Sequence, residues 1–106
     1  DEDTYGGKTP EETLALFIDA LKKGDIELAS KYFIPEKQDE WKESLEAIEK
    51  ANQLDIMISD LNRPKEKKKF GTDENFIFYI YNDSNQLALS INIAKTPNGI
   101  WKILDL

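Results

Sequence analysis

The first half of the chain carries its hydrophobic residues at helical spacing. Thr9, Pro10 and Glu12 supply an N-cap, a first-turn proline and the acidic partner of a capping box. The helix they begin is expected to run to about Lys23. On a helical wheel its apolar residues cover an arc of about 200°, formed by Leu14, Leu16, Phe17, Ile18, Ala20 and Leu21. So wide an arc predicts a helix that is covered on two sides, by a sheet and by neighbouring helices.

Three further segments keep the helical period. The predicted helices run from Ile26 to about Phe33, from about Glu36 to Ala51, and less regularly from Leu54 to Leu61. Pro35 separates the first two of these, and Pro64 must end the last one.

After Pro64 the hydrophobic period changes from 3.6 residues towards 2. Alternation predicts strands over Asn75–Tyr81, Gln86–Lys95 and Ile100–Leu106, with Lys65–Phe70 as a shorter edge strand. The connections between them are short, so the strands are expected to be antiparallel.

These elements predict an α+β fold in which three to four N-terminal helices pack on an antiparallel sheet of three to four strands. The strand over Asn75–Tyr81 has bulky side chains on both faces, whereas the next strand has one large and one small face. This difference predicts a curved sheet that encloses a cone-shaped interior. The 106 residues are expected to form one domain over residues 9–106, and residues 1–8 (DEDTYGGK) a flexible lead-in or the end of a linker.

The composition excludes several kinds of chemistry. The chain has no cysteine and no histidine, which rules out disulfides, thiolate nucleophiles, imidazole bases and metal sites built on sulfur or imidazole. The net charge of −7 argues against binding to nucleic acid or to an anionic membrane surface. No catalytic residue, cofactor or metal ligand is therefore predicted.

Charge is unevenly distributed along the chain. Residues 1–62 carry a net charge of −9 and residues 63–106 a net charge of +2. A basic run contributes much of this difference, formed by Arg63, Lys65, Lys67, Lys68 and Lys69. It is either a docking patch for an acidic partner or lipid headgroups, or an edge strand protected by lysines, and we favour the edge strand. The loop over residues 82–85 (NDSN) lacks the ligand pattern of a calcium site. The acids of the third helix spread over its solvent face, so a solvated surface is expected for both.

Two stretches of the sequence resemble a known family. Residues 9–33 (TPEETLALFIDALKKGDIELASKYF) and residues 98–106 (NGIWKILDL) are similar to the opening and the last strand of the nuclear transport factor 2-like (cystatin-like) superfamily. The resemblance is strongest to small bacterial domains of unknown function that follow a signal peptide or membrane anchor. It implies the cone-shaped fold and an extracytoplasmic or membrane-anchored location, with any membrane association through a segment upstream of Asp1. A cleaved expression tag is the other explanation for a first residue that is not Met.

The superfamily includes ketosteroid isomerase and scytalone dehydratase, but a shared fold does not transfer an activity. The dehydratase-type enzymes rely on histidine, which this chain lacks. The leading hypothesis is a non-catalytic module that binds a small apolar ligand or a protein partner. The alternatives are an isomerase or hydratase using tyrosine and a buried carboxylate, and a homodimer formed through an exposed sheet face. A candidate pocket consists of Tyr32, Trp41, Tyr79, Tyr81 and Trp101, residues that an ordinary core would also explain.

Overall fold

The described part of the chain, residues 3–106 of the computed structural model, folds into four α-helices followed by a four-stranded antiparallel sheet. The helices are α1 (Pro10–Lys22), α2 (Ile26–Ser30), α3 (Gln38–Lys50) and α4 (Leu54–Leu61), with a 3₁₀ turn over Pro35–Lys37. The strands are β1 (Lys65–Phe70), β2 (Thr72–Tyr81), β3 (Leu87–Lys95) and β4 (Trp101–Asp105), in the spatial order β1-β2-β3-β4. The predicted α+β class is confirmed.

Helix α1 lies at the centre of the molecule. The Thr9 side chain caps it by accepting a hydrogen bond from the Glu12 N–H at 3.0 Å, as the sequence predicts. Its apolar arc is buried, with Phe17 fully inaccessible to solvent. The helix contacts α2 and α4 as well as β3 and β4, so the expected cover on two sides is confirmed.

Helix α2 is shorter than predicted and ends at Ser30 instead of Phe33. The reason is a long-range contact: Phe33 forms a parallel bridge with Ile103 of β4. The Ile34 N–H donates to the Ile103 carbonyl at 3.0 Å, and the Ile103 N–H donates to the Tyr32 carbonyl at 2.9 Å. Residues 32–34 therefore run beside the outer edge of β4 and hydrogen-bond to it.

The hairpin between β1 and β2 is tighter than predicted. Strand β2 begins at Thr72, three residues before the expected Asn75, and Gly71 alone connects the two strands. Its φ of +87° lies in the left-handed region that favours glycine. As a result, Phe70 pairs directly with Thr72 at the tip of the hairpin.

The two faces of the sheet differ in burial. Phe78 and Ile80 of β2 pair with Ile91 and Leu89 of β3 and face the helices, as part of the core. Because side chains alternate along a strand, Tyr79 lies on the opposite, outer face. The ladder contains a register shift in each of its three strand pairs, and such shifts increase the local twist and bend of a sheet.

Residues 3–8, which we call the N-terminal arm, pack against β4. The Trp101 N–H donates to the Gly7 carbonyl at 3.0 Å, and the Asn98 side-chain amide donates to the Asp3 carbonyl at 2.9 Å. The arm passes so close to β4 that a Cβ on Gly6 would lie 2.5 Å from the Trp101 carbonyl oxygen. The segment predicted to be a flexible lead-in thus makes specific contacts with the domain over residues 3–8, while its residues 1 and 2 lie outside the described residues.

Candidate functional site

An apolar groove lies between α3, α4 and the start of β3. It has a volume of about 310 Å³. Its lining, which we call the α3–α4 groove, is formed by Trp41, Ile48, Gln53, Ile56, Met57, Asp60, Ala88, Leu89 and Leu106. Seven of these nine side chains are hydrocarbon, thioether or indole groups, so the groove offers mainly apolar surface.

The sequence builds the walls of this groove from two amphipathic helices. In α3, Leu45 is fully buried, and Trp41 and Ile48 lie one turn away on the same side of the helix. The chain then reverses through Asn52, whose φ of +57° is left-handed. In α4, Leu61 is fully buried, while Ile56 is 56% exposed at the rim of the groove. Neither helix therefore uses its whole apolar surface in the core.

Trp41 connects the groove to the core. Its ring stacks on Phe33 with centroids 5.0 Å apart and an angle of 12° between the planes. Its indole Nε1 is buried and finds no hydrogen-bond partner within residues 3–106. A buried donor without an acceptor costs free energy, and this indole N–H is the one buried polar group of the groove wall that the described residues leave unsatisfied.

A second cleft, between α1 and the β1–β2 hairpin, has a different chemical character. It has a volume of about 300 Å³, and its rim carries Glu11, Asp19, Lys22 and Lys65 around apolar residues of α1 and β2. Burial lowers the pKa of Lys65, and its Nζ donates to the Arg63 carbonyl at 3.2 Å. With charges of both signs on its rim, this cleft selects less clearly for one class of ligand than the groove does.

Glu11 at the rim of the second cleft is paired with Lys67, and the Nζ–Oε2 distance is 2.8 Å. Burial alone would raise the pKa of Glu11, but the hydrogen bond and charge of Lys67 and a backbone N–H outweigh it and lower the pKa. A general acid at neutral pH requires a raised carboxyl pKa. The pKa of Glu11 is shifted in the opposite direction, so Glu11 does not fit this role.

A buried ammonium group lies where the N-terminal arm meets β4. The Lys102 side chain is fully inaccessible to solvent, and its Nζ donates to the Tyr5 carbonyl at 2.7 Å and the Lys31 carbonyl at 2.5 Å. An Asp3 carboxylate oxygen lies 2.7 Å away and supplies the third acceptor. All three protons of the ammonium group therefore have partners. Sequence reasoning missed this cluster, whose one local signal is a lysine within an otherwise apolar strand.

The structure does not bring the five predicted pocket residues together. Trp41 lines the α3–α4 groove. Tyr32 and Trp101 are buried in the core cluster, where Trp101 contacts Phe76 and Tyr32 contacts Tyr5. Tyr79 and Tyr81 lie on the outer face of the sheet. Alternation along β2 separates these two tyrosines from the helix-facing aromatic residues, so the five side chains do not line one cavity.

The four lysines of the predicted basic run lie on β1, the exposed edge strand of the sheet, and Arg63 precedes the strand. Four of its five charged groups have acidic partners: Lys67 pairs with Glu11, Lys68 with Glu66, Lys69 with Asp73, and Arg63 with Asp60 and Asp83. Lys65 donates to the Arg63 carbonyl instead. This pairing agrees with a protected edge better than with a free basic patch.

Residues 3–106 offer no candidate for two other kinds of site. No group of three or more acidic side chains lies close enough to hold a metal ion. No helix in this range is both long and apolar enough to cross a membrane. Comparison with protein-family models, with curated proteins and with solved structures finds no match, so the resemblance to the nuclear transport factor 2-like superfamily stays a prediction.

Proposed function

We propose that this chain is a non-catalytic binding module and that the α3–α4 groove is its binding surface for an apolar group. The observation that carries the proposal is the lining of the groove, where apolar side chains surround about 310 Å³ of open space. Ligand sites typically measure about 300–1,000 Å³ and combine an apolar lining with few polar groups. The groove is at the lower end of this range, so it fits a small molecule or one large side chain.

The alternative, an isomerase or hydratase, requires a carboxylate buried beside a tyrosine hydroxyl. Within residues 3–106 every aspartate and glutamate is exposed except Asp3 and Asp60, which are half-buried. Asp3 is paired with Lys102, and Asp60 with Arg63. Both half-buried carboxylates are therefore engaged with a cation. These contacts support a binding role over the enzymatic one.

Binding of a neutral apolar dye, N-phenyl-1-naphthylamine, tests the proposal. The experiment uses micromolar protein and compares the wild type with Ala88→Phe, which places a ring in the groove from an exposed position on β3. The matched control is Ala15→Phe, which places the same ring in the second cleft. We expect saturable fluorescence enhancement that Ala88→Phe weakens about tenfold or more, a loss of at least about 1.4 kcal/mol, and that Ala15→Phe leaves unchanged. Equal weakening by both variants, or no saturable binding, would contradict the proposal.

We also propose that the module belongs to an exported or membrane-anchored protein, on the strength of the sequence resemblance. Reading the native gene upstream of Asp1 tests this part. A signal peptide or hydrophobic anchor would support it, and an initiator methionine directly before Asp1 would contradict it.

A further inference from the structure

The second cleft, between α1 and the β1–β2 hairpin, combines an apolar floor with charged walls. Its volume of about 300 Å³ is at the lower end of the range for small-ligand sites. Three of its lining residues, Leu14, Ile18 and Phe78, belong to the hydrophobic core and keep at most 8% of their surface exposed. A small apolar group that enters the cleft would therefore contact hydrocarbon and aromatic surface at its floor.

Lys65 lines this cleft without an acidic partner. Its side chain is half-buried, and burial lowers its pKa. Its Nζ donates one hydrogen bond, to the Arg63 carbonyl at 3.2 Å, and forms no ion pair within residues 3–106. Two of the three ammonium protons thus have no acceptor among the described residues. A half-buried cation gains from an anionic hydrogen-bond partner, because such a partner offsets the loss of hydration.

The other charges of the second cleft do not cancel the charge of Lys65. Glu11 is held by Lys67 at 2.8 Å, so the charge of this acid is already balanced. Asp19 is exposed and lies one helical turn from Lys22 on α1, whose charge offsets it. Three lysines therefore stand against two acids in and beside the cleft, which makes it locally positive on a chain whose net charge is −7.

We propose that the second cleft binds a small apolar monocarboxylate, with the carboxylate on the Lys65 ammonium group and the apolar group on the floor. A carboxylate oxygen accepts the charge-assisted hydrogen bond that Lys65 does not make within the chain. A neutral ligand would leave Lys65 without an anion, and a cationic ligand would be repelled by it. This site is separate from the proposed function, because the second cleft and the α3–α4 groove share no lining residue.

An NMR titration of the isotope-labelled full chain with three ligands that share a cyclohexyl ring tests this assignment. The ligands are cyclohexanecarboxylate, the neutral cyclohexylmethanol and the cationic cyclohexylmethylamine, each added at neutral pH. We expect the carboxylate to cause saturable shifts of amide signals in α1 and β1. Its dissociation constant should be about 1 mM, which a ligand of about nine non-hydrogen atoms can reach. The alcohol should bind about tenfold more weakly, and the amine more weakly still.

Four variants locate the carboxylate. Lys65→Met removes the charge but keeps the apolar stem, so it should weaken binding of the carboxylate about tenfold or more. The matched control is Lys68→Met, which removes an equal charge from a residue of β1 that is paired with Glu66 and does not line the cleft. Because exposed charges are screened by salt, this control should change the affinity by less than about twofold. Ala15→Phe fills the cleft and should abolish binding, whereas Ala88→Phe fills the α3–α4 groove and should leave binding unchanged.

Equal affinity of the wild type for the carboxylate and the alcohol, or no saturable shift with the carboxylate, would overturn the proposal whether or not the variants fold. So would an equal loss in Lys65→Met and Lys68→Met, because the net charge alone would then explain the binding. Shifts confined to α3 and α4 and removed by Ala88→Phe would also overturn it, since the carboxylate would then occupy the α3–α4 groove. Carboxylate binding in the second cleft without dye binding in the groove would support this site and contradict only the proposed function.

Discussion

Replacing Lys102 by methionine removes the buried ammonium group and keeps the length of its side chain. The substitution breaks contacts with two backbone carbonyls and with the Asp3 carboxylate, all within 2.7 Å of Nζ. Each hydrogen bond to a charged donor contributes about 1.5–3 kcal/mol, but the wild type also bears the cost of removing an ammonium group from water. Asp3 is 31% exposed and can regain water. We therefore expect a net loss of about 2 kcal/mol in the free energy of unfolding.

The pH dependence of this loss has a definite sign. Burial lowers the pKa of Lys102 below its ordinary 10.5. The hydrogen bond and charge of Asp3 oppose this shift, whereas the charge of Lys31 adds to it. The unfolded chain therefore binds more protons than the folded chain between the lowered pKa and 10.5, and stability rises with pH in that window. The stability advantage of the wild type over Lys102→Met should grow as the pH approaches 10.5. Comparing two variants cancels the titration of the other lysines and the tyrosines.

Urea unfolding followed by circular dichroism measures both effects. The matched control is Lys8→Met, an exposed lysine of the same N-terminal arm, which should change stability by less than about 0.5 kcal/mol. Asp3→Asn should cost about 0.5–1 kcal/mol, less than Lys102→Met, because an amide oxygen still accepts a hydrogen bond. A Lys102→Met variant as stable as the wild type, or more stable, would show that desolvation of the ammonium outweighs its three contacts and would refute this reasoning.

Three further predictions concern other parts of the molecule. Thr13→Val should lower the free energy of unfolding in urea by about 2 kcal/mol. The reason is that the buried Thr13 hydroxyl accepts from the Gly7 N–H and donates to the Trp101 carbonyl. Thr13→Ser keeps the hydroxyl and should lower it clearly less. Leu45→Ala should cost about 3 kcal/mol in the same assay by leaving a cavity under α3, while the exposed Glu46→Ala should stay within about 0.5 kcal/mol. Lys67→Met should raise the pKa of Glu11 in an NMR titration, since burial would act unopposed by the lysine; an unchanged midpoint would contradict the pairing. In the wild type the small stabilisation from Glu11 should be present above pH 4.5 and lost as the pH falls through its lowered pKa.

Local chemistry predicted most of the fold. The start of α1 follows from the Thr9 cap and the proline after it, and the strands follow from alternation. The errors have non-local causes. The end of α2 depends on a bridge between Phe33 and Ile103, which are far apart in the sequence. Strict alternation along β3 would place Leu87 on the same face as Leu89, but a register shift pairs it with Tyr81 and leaves it exposed.

The candidate site was less predictable than the fold. Of the predicted pocket residues, Trp41 alone lines the groove, because a count of aromatic residues does not say which side of a strand each one occupies. Ile56 and Met57 lie in a segment for which the sequence predicts a helix, but their position beside Ala88 depends on how α4 packs against β3. The cluster around Lys102 requires the arm and β4 to meet across 97 residues of sequence, for which no local pattern exists.

Strand β4 also constrains the order in which this chain can fold. Three segments from the first third of the sequence use it as a partner: the arm through Gly7, helix α1 through Thr13, and residues 32–34 through Ile103. During synthesis these segments leave the ribosome long before β4 does. Until β4 is available, the polar groups that will bond to it stay hydrogen-bonded to water. Contacts between distant residues form only at the entropic cost of closing a long loop. Since residues 3–62 lack β4 and its contacts, we expect this stretch to stay largely unfolded in isolation. The native structure would then form cooperatively, after synthesis has reached β4.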